Sequence, residues 1–275
     1  MNSLTTIEKS IIKKYRKTIW RPFTRALNDF ALIDSGDHVA VAISGGKDSL
    51  LLAKLLQEIQ RHGKIDFKLS FIAMDPGYNQ INRQLLMQNA DALGIALQIF
   101  DATLFDSVDK MATKYPCYLC ARMRRGFLYE KAKAIGANKL ALGHHLDDVV
   151  ETVLLNVLYA GTYMTMMPLI KSTNFADIWL IRPMYYIEEK AIYNWMSYNS
   201  IEALDCACSL TEKKQVGARS KVKSLIEALV KENPDVKKSI LKSTQNVHLD
   251  AILGFKRRGK HYRYDEYNNR ESFTL

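Results

Sequence analysis

An α/β fold, with a parallel sheet covered by helices on both faces, is predicted by three observations. Between Asp37 and Ile187 short apolar runs alternate with stretches at helical spacing, the pattern of strands joined by crossover helices. A double-glycine turn, Ser44-Gly45-Gly46-Lys47-Asp48-Ser49, joins the first such run to the first such helix. The two ends of the chain show helical periodicity alone, which adds N-terminal helices and a C-terminal helical segment to the sheet.

Thr5 to Ala31 reads as helix, with Thr5 and Glu8 spaced as a capping box and Ile7, Ile11, Ile12, Tyr15, Ile19 and Trp20 on one face. Pro22 breaks or kinks it, and a second helix carries Phe23 to Phe30. The expected strands are His38–Ile43, Phe67–Met74, Ala96–Phe100, Lys139–Leu142 and Ile178–Ile181. The helices between them are Leu50–Arg61, Gln80–Leu93, Arg122–Ile135, which Gly136-Ala137-Asn138 closes, and Asp147–Leu158. Beyond Ile187 helices are expected over Glu188–Asn199, 215–232 and Asp235–His248. The organisation is then 1–36 helical, 37–186 α/β, 187–254 helical, and 255–275 a basic, flexible tail with aromatics interleaved.

At 275 residues the chain can bury a substantial core. No apolar run approaches the roughly 18 residues that span a membrane, and Met1–Lys9 has no signal-peptide core, so a cytoplasmic protein with no membrane partner is expected. The net charge of +10, from 39 Lys and Arg against 29 Asp and Glu, suggests a polyanionic partner, and RNA or DNA suits it better than a membrane.

A strand, a glycine turn and a helix start build an anion site, because the helix's first amides point outward with partial positive charge. Ser44 and Ser49 add hydroxyls and Lys47 a mobile cation. The stretch does not fit the Walker pattern, since Asp48 follows the lysine directly. An acid inside a phosphate loop suggests Mg²⁺ arriving with the nucleotide. Gly143-His144-His145-Leu146-Asp147-Asp148 falls at another strand end. Its groups could bind Mg²⁺, contact a nucleotide or act as acid and base; an aspartate there is also a common helix cap. Together with Asp75-Pro76-Gly77 these stretches converge on the carboxyl ends of strands, where such sheets bind ligands.

The four cysteines form two tight pairs, Cys117/Cys120 and Cys206/Cys208. Without an export signal such pairs indicate metal or redox chemistry before a disulfide framework. Tetrahedral zinc, a [4Fe–4S] cluster and a catalytic persulfide or disulfide all fit, and spacing does not choose among them.

Ser44–Ser49 matches the SGGxDS loop of the PP-loop, or N-type, ATP pyrophosphatases. Pro116-Cys117-Tyr118-Leu119-Cys120-Ala121-Arg122-Met123-Arg124-Arg125-Gly126 and Gly143–Asp148 resemble the PCxxCxRxRRG and GHHxDD stretches of the tRNA 2-thiocytidine synthetases. The resemblance runs from about Phe30 to about His248. It implies a Rossmann-like sheet of the adenine nucleotide alpha hydrolase type. It also implies that ATP adenylates C2 of an anticodon-loop cytidine, with release of pyrophosphate, before sulfur displaces AMP. Ser44, Gly45, Gly46, Lys47, Asp48 and Ser49 would then hold the phosphates, Met74, Asp75, Gly143 and His144 the adenosine, and Asp48 and Asp148 the Mg²⁺. Cys117, Cys120 and either Cys206 or Cys208 would hold a [4Fe–4S] cluster with one open iron; the family has CxxC at the later position where this chain has Cys206-Ala207-Cys208. Asp147 would stand beside the reacting base, with Arg124 stabilising charge there. Arg122, Arg125, Arg219, Lys256, Arg257 and Arg258 would hold the tRNA backbone. A sulfur donor such as a cysteine desulfurase system is implied, and the assembly stays open between monomer and homodimer. Two alternatives remain at this stage. One is a PP-loop adenylating enzyme with structural zinc at the cysteines, acting on another base or using an amine; the other is a nucleotide-gated RNA-binding protein.

Overall fold

The computed structural model describes residues 1–102, 116–175, 177–204 and 217–267, with the side chains of 116–121 excepted. Six strands form one sheet: β1 (His38–Ala42), β2 (Lys68–Asp75), β3 (Leu97–Asp101), β4 (Lys139–Ala141), β5 (Leu169–Lys171) and β6 (Trp179–Ile181), in the order β3-β2-β1-β4-β6-β5. All pairings are parallel except β5 with β6. The chain leaves β1 in one direction for β2 and β3 and in the other for β4, so the strand order reverses between β1 and β4.

Burial follows the period of two. Val39 and Val41 of β1 face one core and Ala40 the other; Phe71 and Ala73 of β2 match the first, and Ile72 the second. The first core is covered by α1 (Leu4–Ile12), α2 (Arg21–Asp29), α3 (Lys47–His62), α4 (Gln80–Ala92) and α7 (Glu189–Tyr198). On the opposite face α5 (Pro116–Ala134) supplies Tyr129 and Ala132. Three further helices, α6 (Leu146–Ala160), α8 (Ala218–Glu232) and α9 (Val236–Ser243), pack together through Leu146, Val150, Val222, Ile226 and Leu241.

Several expectations need correction. The first helix begins at Leu4 and is capped by Ser3, whose Oγ accepts from the Thr6 amide, so Thr5 and Glu8 make no capping box. Glu8 instead accepts from Lys54 Nζ at 2.8 Å, and that fully buried lysine also donates to Gln57 and the Leu93 carbonyl. A buried ammonium needs several acceptors at once, and this one ties α1 to α3. The helix over Thr5–Ala31 is three pieces, with a π-turn at Arg16–Trp20 and Pro22 in the first turn of α2, where its missing N–H costs nothing. The antiparallel edge strand β5 carries no strong alternation. The expected flexible tail contains a hairpin, β7 (Gly254–Arg257) with β8 (Lys260–Arg263). Arg258 and Gly259 both take positive φ, 50° and 81°, the backbone of a type I′ turn, and the Phe255 and Tyr262 rings stack at 5.0 Å.

Candidate active site

A cavity of about 380 Å³ opens at the carboxyl ends of β1, β2 and β4, beside the reversal in strand order. Its walls are Ser44, Asp48 and Ser49 from the glycine turn, Met74 and Tyr78 from β2 and its turn, Gly143, His144 and Asp148 from the loop after β4, and Arg124, Arg125 and Leu128 from α5. The expected convergence of strand ends is therefore realised, and the helix that bears the first cysteine pair joins it.

The glycine turn is tightly self-bonded. Ser49 Oγ donates to the Gly46 carbonyl at 2.8 Å and accepts from the Ser44 amide at 3.2 Å, while Ser44 Oγ accepts from the Gly46 amide at 3.3 Å. Gly45 has φ of 79°, and a Cβ there would lie 2.4 Å from Leu204 Cδ1. A Cβ on Gly143 would meet the Asp48 backbone at 3.1 Å. Gly45 is needed for its left-handed backbone as well as for close approach, and Gly143 for close approach alone.

Asp48, in the first turn of α3, binds Lys47 Nζ at 3.0 Å through Oδ2, while its buried Oδ1 has no hydrogen-bond partner among the described residues. Burial pushes its pKa up, and the nearby Asp148 carboxylate adds to that effect. A half-buried acid whose Oδ1 makes no hydrogen bond and lies 3.8 Å from His145 Nε2, with Asp148 lining the same cavity, offers what Mg²⁺ takes from a protein: one or two carboxylates, the rest being phosphate and water. Among the described residues no cluster of three or more His, Cys, Asp or Glu could hold a metal alone, so phosphate oxygens would have to complete the shell.

Lys47 is shared between Asp48 and Glu189, at 3.0 and 3.1 Å, and lies over the Tyr193 ring at 4.8 Å. Burial opposes its charge, but the two carboxylates outweigh burial and hold its pKa above the usual value. Glu189 shows the reciprocal effect. Burial works against its carboxylate, yet hydrogen bonds from Lys223 and Lys47 bring its pKa down to about 2.

His144 Nδ1 accepts from Arg182 Nε at 3.3 Å. Burial, reinforced by the Arg182 charge, lowers the His144 pKa to about 4. The ring is thus neutral near pH 7 and, with Nδ1 an acceptor, carries its proton on Nε2. Arg182 is itself buried, lies close to Arg125, and donates to the Met167 carbonyl; burial lowers its pKa to about 10.

A PP-loop domain model matches residues 16–205 of the chain. A tRNA-cytidine(32) 2-sulfurtransferase of Geobacter metallireducens is 38% identical over 244 residues, covering 88% of this chain and 93% of its own length. One from Bdellovibrio bacteriovorus is 37% identical over 257 residues, with coverage of 92% and 95%. The chain belongs to this family of PP-loop proteins. In fold it is similar to the U34-tRNA thiolase NcsA of Methanococcus maripaludis, solved with its [4Fe-4S] cluster: TM-score 0.64, 22% identity, covering 85% of this chain and 80% of that one.

The remaining expected site residues of this family member fall into four groups. Cys117 and Cys120 lie in the first turns of α5, which begins at Pro116 and so includes the pair that was expected just before a helix. Their side chains, and all of Cys206 and Cys208, lie outside the described residues. Asp75 and Asp147 are buried or half-buried away from the cavity lining. Asp75 accepts from the Gly77 and Tyr78 amides at 2.9 and 2.7 Å and from Arg83 at 2.7 Å, which builds the turn that presents Tyr78. Asp147 accepts from Lys237 at 2.6 Å and from the Glu189 amide at 2.7 Å, joining α6 to α7 and α9. Arg219 bridges Asp148 and Glu151, at 2.6 and 2.7 Å. Arg122, Lys256, Arg257 and Arg258 are exposed.

Arg182, Glu189, Tyr78 and Leu204 were not singled out from the sequence. Arg182 follows an expected strand directly, a position that signals a ligand-side residue in a parallel sheet. Glu189 and Leu204 carry no local signal.

No helix among the described residues is long and apolar enough to cross a membrane.

Proposed function

We propose that the protein is an ATP-dependent tRNA sulfurtransferase that converts cytidine 32 of tRNA to 2-thiocytidine. The observation that carries this reading is the course of α5. The helix starts with the CxxC pair and, four residues after Cys120, contributes Arg124 to the cavity that the glycine turn lines. Four residues of helix advance about 6 Å, which supports a reading in which sulfur chemistry at the cysteines and nucleotide chemistry at the loop share one site.

In this reading the Ser44–Ser49 amides and hydroxyls take the β- and γ-phosphates of ATP, and Lys47 is handed from Asp48 and Glu189 to phosphate oxygens. Asp48 and Asp148 hold the Mg²⁺. Met74 and Gly143 wall the adenosine, and neutral His144 offers its Nε2–H to an acceptor there. The C2 oxygen of the cytidine attacks the α-phosphorus and pyrophosphate leaves. Adenylation matters because a bare carbonyl oxygen is a poor leaving group and AMP a better one. Arg124 and Arg125 stand where negative charge develops on the transferred group. The four thiols suit a [4Fe–4S] cluster, which Cys117, Cys120 and Cys206 or Cys208 would hold and which would carry sulfur for transfer to C2. Sulfur reaches the site from a donor of the cysteine desulfurase type.

Nucleoside analysis of tRNA from a deletion strain tests the reaction: 2-thiocytidine disappears and returns with the wild-type gene. Unchanged 2-thiocytidine overturns the proposal. Anaerobic purification tests the metal, because a brown protein with absorbance near ~400 nm supports the cluster and a colourless one with stoichiometric zinc rejects it.

A further inference from the structure

A second, larger cavity, of about 870 Å³, lies between the N-terminal helices and the α7/α9 side of the molecule. Six cations line it: Lys17, Arg21 and Arg25 from the π-turn and α2, Lys190 from α7, and Lys238 and Lys242 from α9. Glu188 is its only acid among the described residues. Arg25 and Lys238 are paired with Asp29 and Asp235. Lys17, Arg21, Lys190 and Lys242 are exposed and have no carboxylate within 4 Å among the described residues. Three separate segments thus bring like charges together without neutralising them, which lowers stability unless a polyanion is bound.

We propose that this cleft holds the phosphate backbone of the tRNA, an inference that rests on the sulfurtransferase reading above. Its lining favours phosphate over a protein partner. Protein interfaces have an apolar, aromatic centre depleted of lysine, whereas here the lysines and arginines dominate. Backbone contacts need only long cationic side chains and carry no sequence information, which suits a site remote from the reacting base. The cleft is also mechanically joined to the nucleotide cavity. Leu146 lines it at the head of α6, one residue before Asp147, and Asp147 accepts from the Glu189 amide, next to lining residues Glu188 and Lys190. Glu189 in turn binds Lys47 of the phosphate loop. The two sites share the N-terminus of α6, with Leu146 on one and Asp148 on the other, and α7 reaches the phosphate loop through Glu189.

The test uses full-length protein and an unmodified tRNA transcript. The triple variant Arg21→Ala, Lys190→Ala, Lys242→Ala is compared with wild type by anisotropy over a salt series, with ATP binding and thermal midpoint measured alongside. The expected result is weaker tRNA binding and a log–log salt slope shallower by about one for each cation removed, with ATP affinity unchanged and the thermal midpoint of the free protein equal to or above that of wild type. Wild-type protein that binds tRNA while the variant binds with the same affinity and slope overturns the cleft alone. Wild-type protein that does not bind tRNA overturns the sulfurtransferase reading and the cleft with it.

Discussion

The backbone amide of Leu204 donates to the Gly45 carbonyl at 3.0 Å, and its side chain fills the space beside that glycine. The segment after α7, two residues before Cys206, is therefore docked on the phosphate loop itself. Leu204 is almost fully buried, and Asn89 fixes the same segment by donating to the Glu202 carbonyl at 2.7 Å. The chain thus touches the nucleotide loop at Leu204, two positions in sequence before Cys206.

Substituting Gly45→Ala is expected to cost about 1–3 kcal/mol for the left-handed backbone, with a further penalty from the contact with Leu204. The double variant with Leu204→Ala removes the contact and keeps the backbone strain. Urea denaturation of the two single variants and the double variant should give a coupling in which Gly45→Ala is less costly in the Leu204→Ala background. Strict additivity would mean that the side chain does not press on the loop.

Arg182 acts on His144 through charge and a hydrogen bond. Burial is the larger cause of the low His144 pKa, and the Arg182 charge adds to it. Arg182→Met keeps much of the volume and removes the cation, so the imidazolium becomes easier to form. The His144 pKa should then rise from about 4 towards the ordinary 6.5. A histidine NMR titration of both proteins measures this, and an unchanged value would remove Arg182 from the causes of the shift, leaving burial with Arg125 and Arg219.

The parts legible in the sequence were those set by local pattern. Strands such as β1 and β2 are buried on both faces and stand out as apolar runs, and the glycine turn announces itself by composition. Arg182 was not legible because its role depends on β6 lying beside β4, a crossover that no local window contains. Asp147 and Asp148 look equivalent as letters, but one step along a helix turns about 100°. That step sends Asp148 to the cavity and Asp147 to Lys237. The hairpin over Gly254–Arg263 was hidden by its charge and by an Arg258-Gly259 turn in place of the familiar Asn-Gly.

Glu189 gives the fold an acid-side dependence. Its folded pKa of about 2 lies below the ordinary 4.5, so its contribution is complete above pH 4.5 and is lost as pH falls towards 2. Glu189→Gln should flatten that part of the stability curve, by at most about 3 kcal/mol and less because Lys223 is half exposed. Urea midpoints from pH 7 down to pH 3 provide the measurement. The same variant frees Lys47 from one of its two carboxylates, so ATP binding at pH 7 should be retained.

Cys117 separates the two halves of the reaction most cleanly. It sits in the first turn of α5, whereas the residues of that helix that line the nucleotide cavity are Arg124, Arg125 and Leu128, two turns further on. Cys117→Ala should therefore leave ATP affinity within about twofold, since no cavity-lining group changes and surface or helix-end substitutions to Ala cost little. Iron content and 2-thiocytidine formation should both fall to background, because a cluster with two remaining thiolate ligands is poorly held. ATP binding by dialysis, iron by colorimetric assay and nucleoside analysis are read on the same preparation. Retained iron with lost thiolation would move Cys117 from holding the metal to handling the sulfur directly. Lost ATP binding would show that the start of α5 shapes the nucleotide cavity as well.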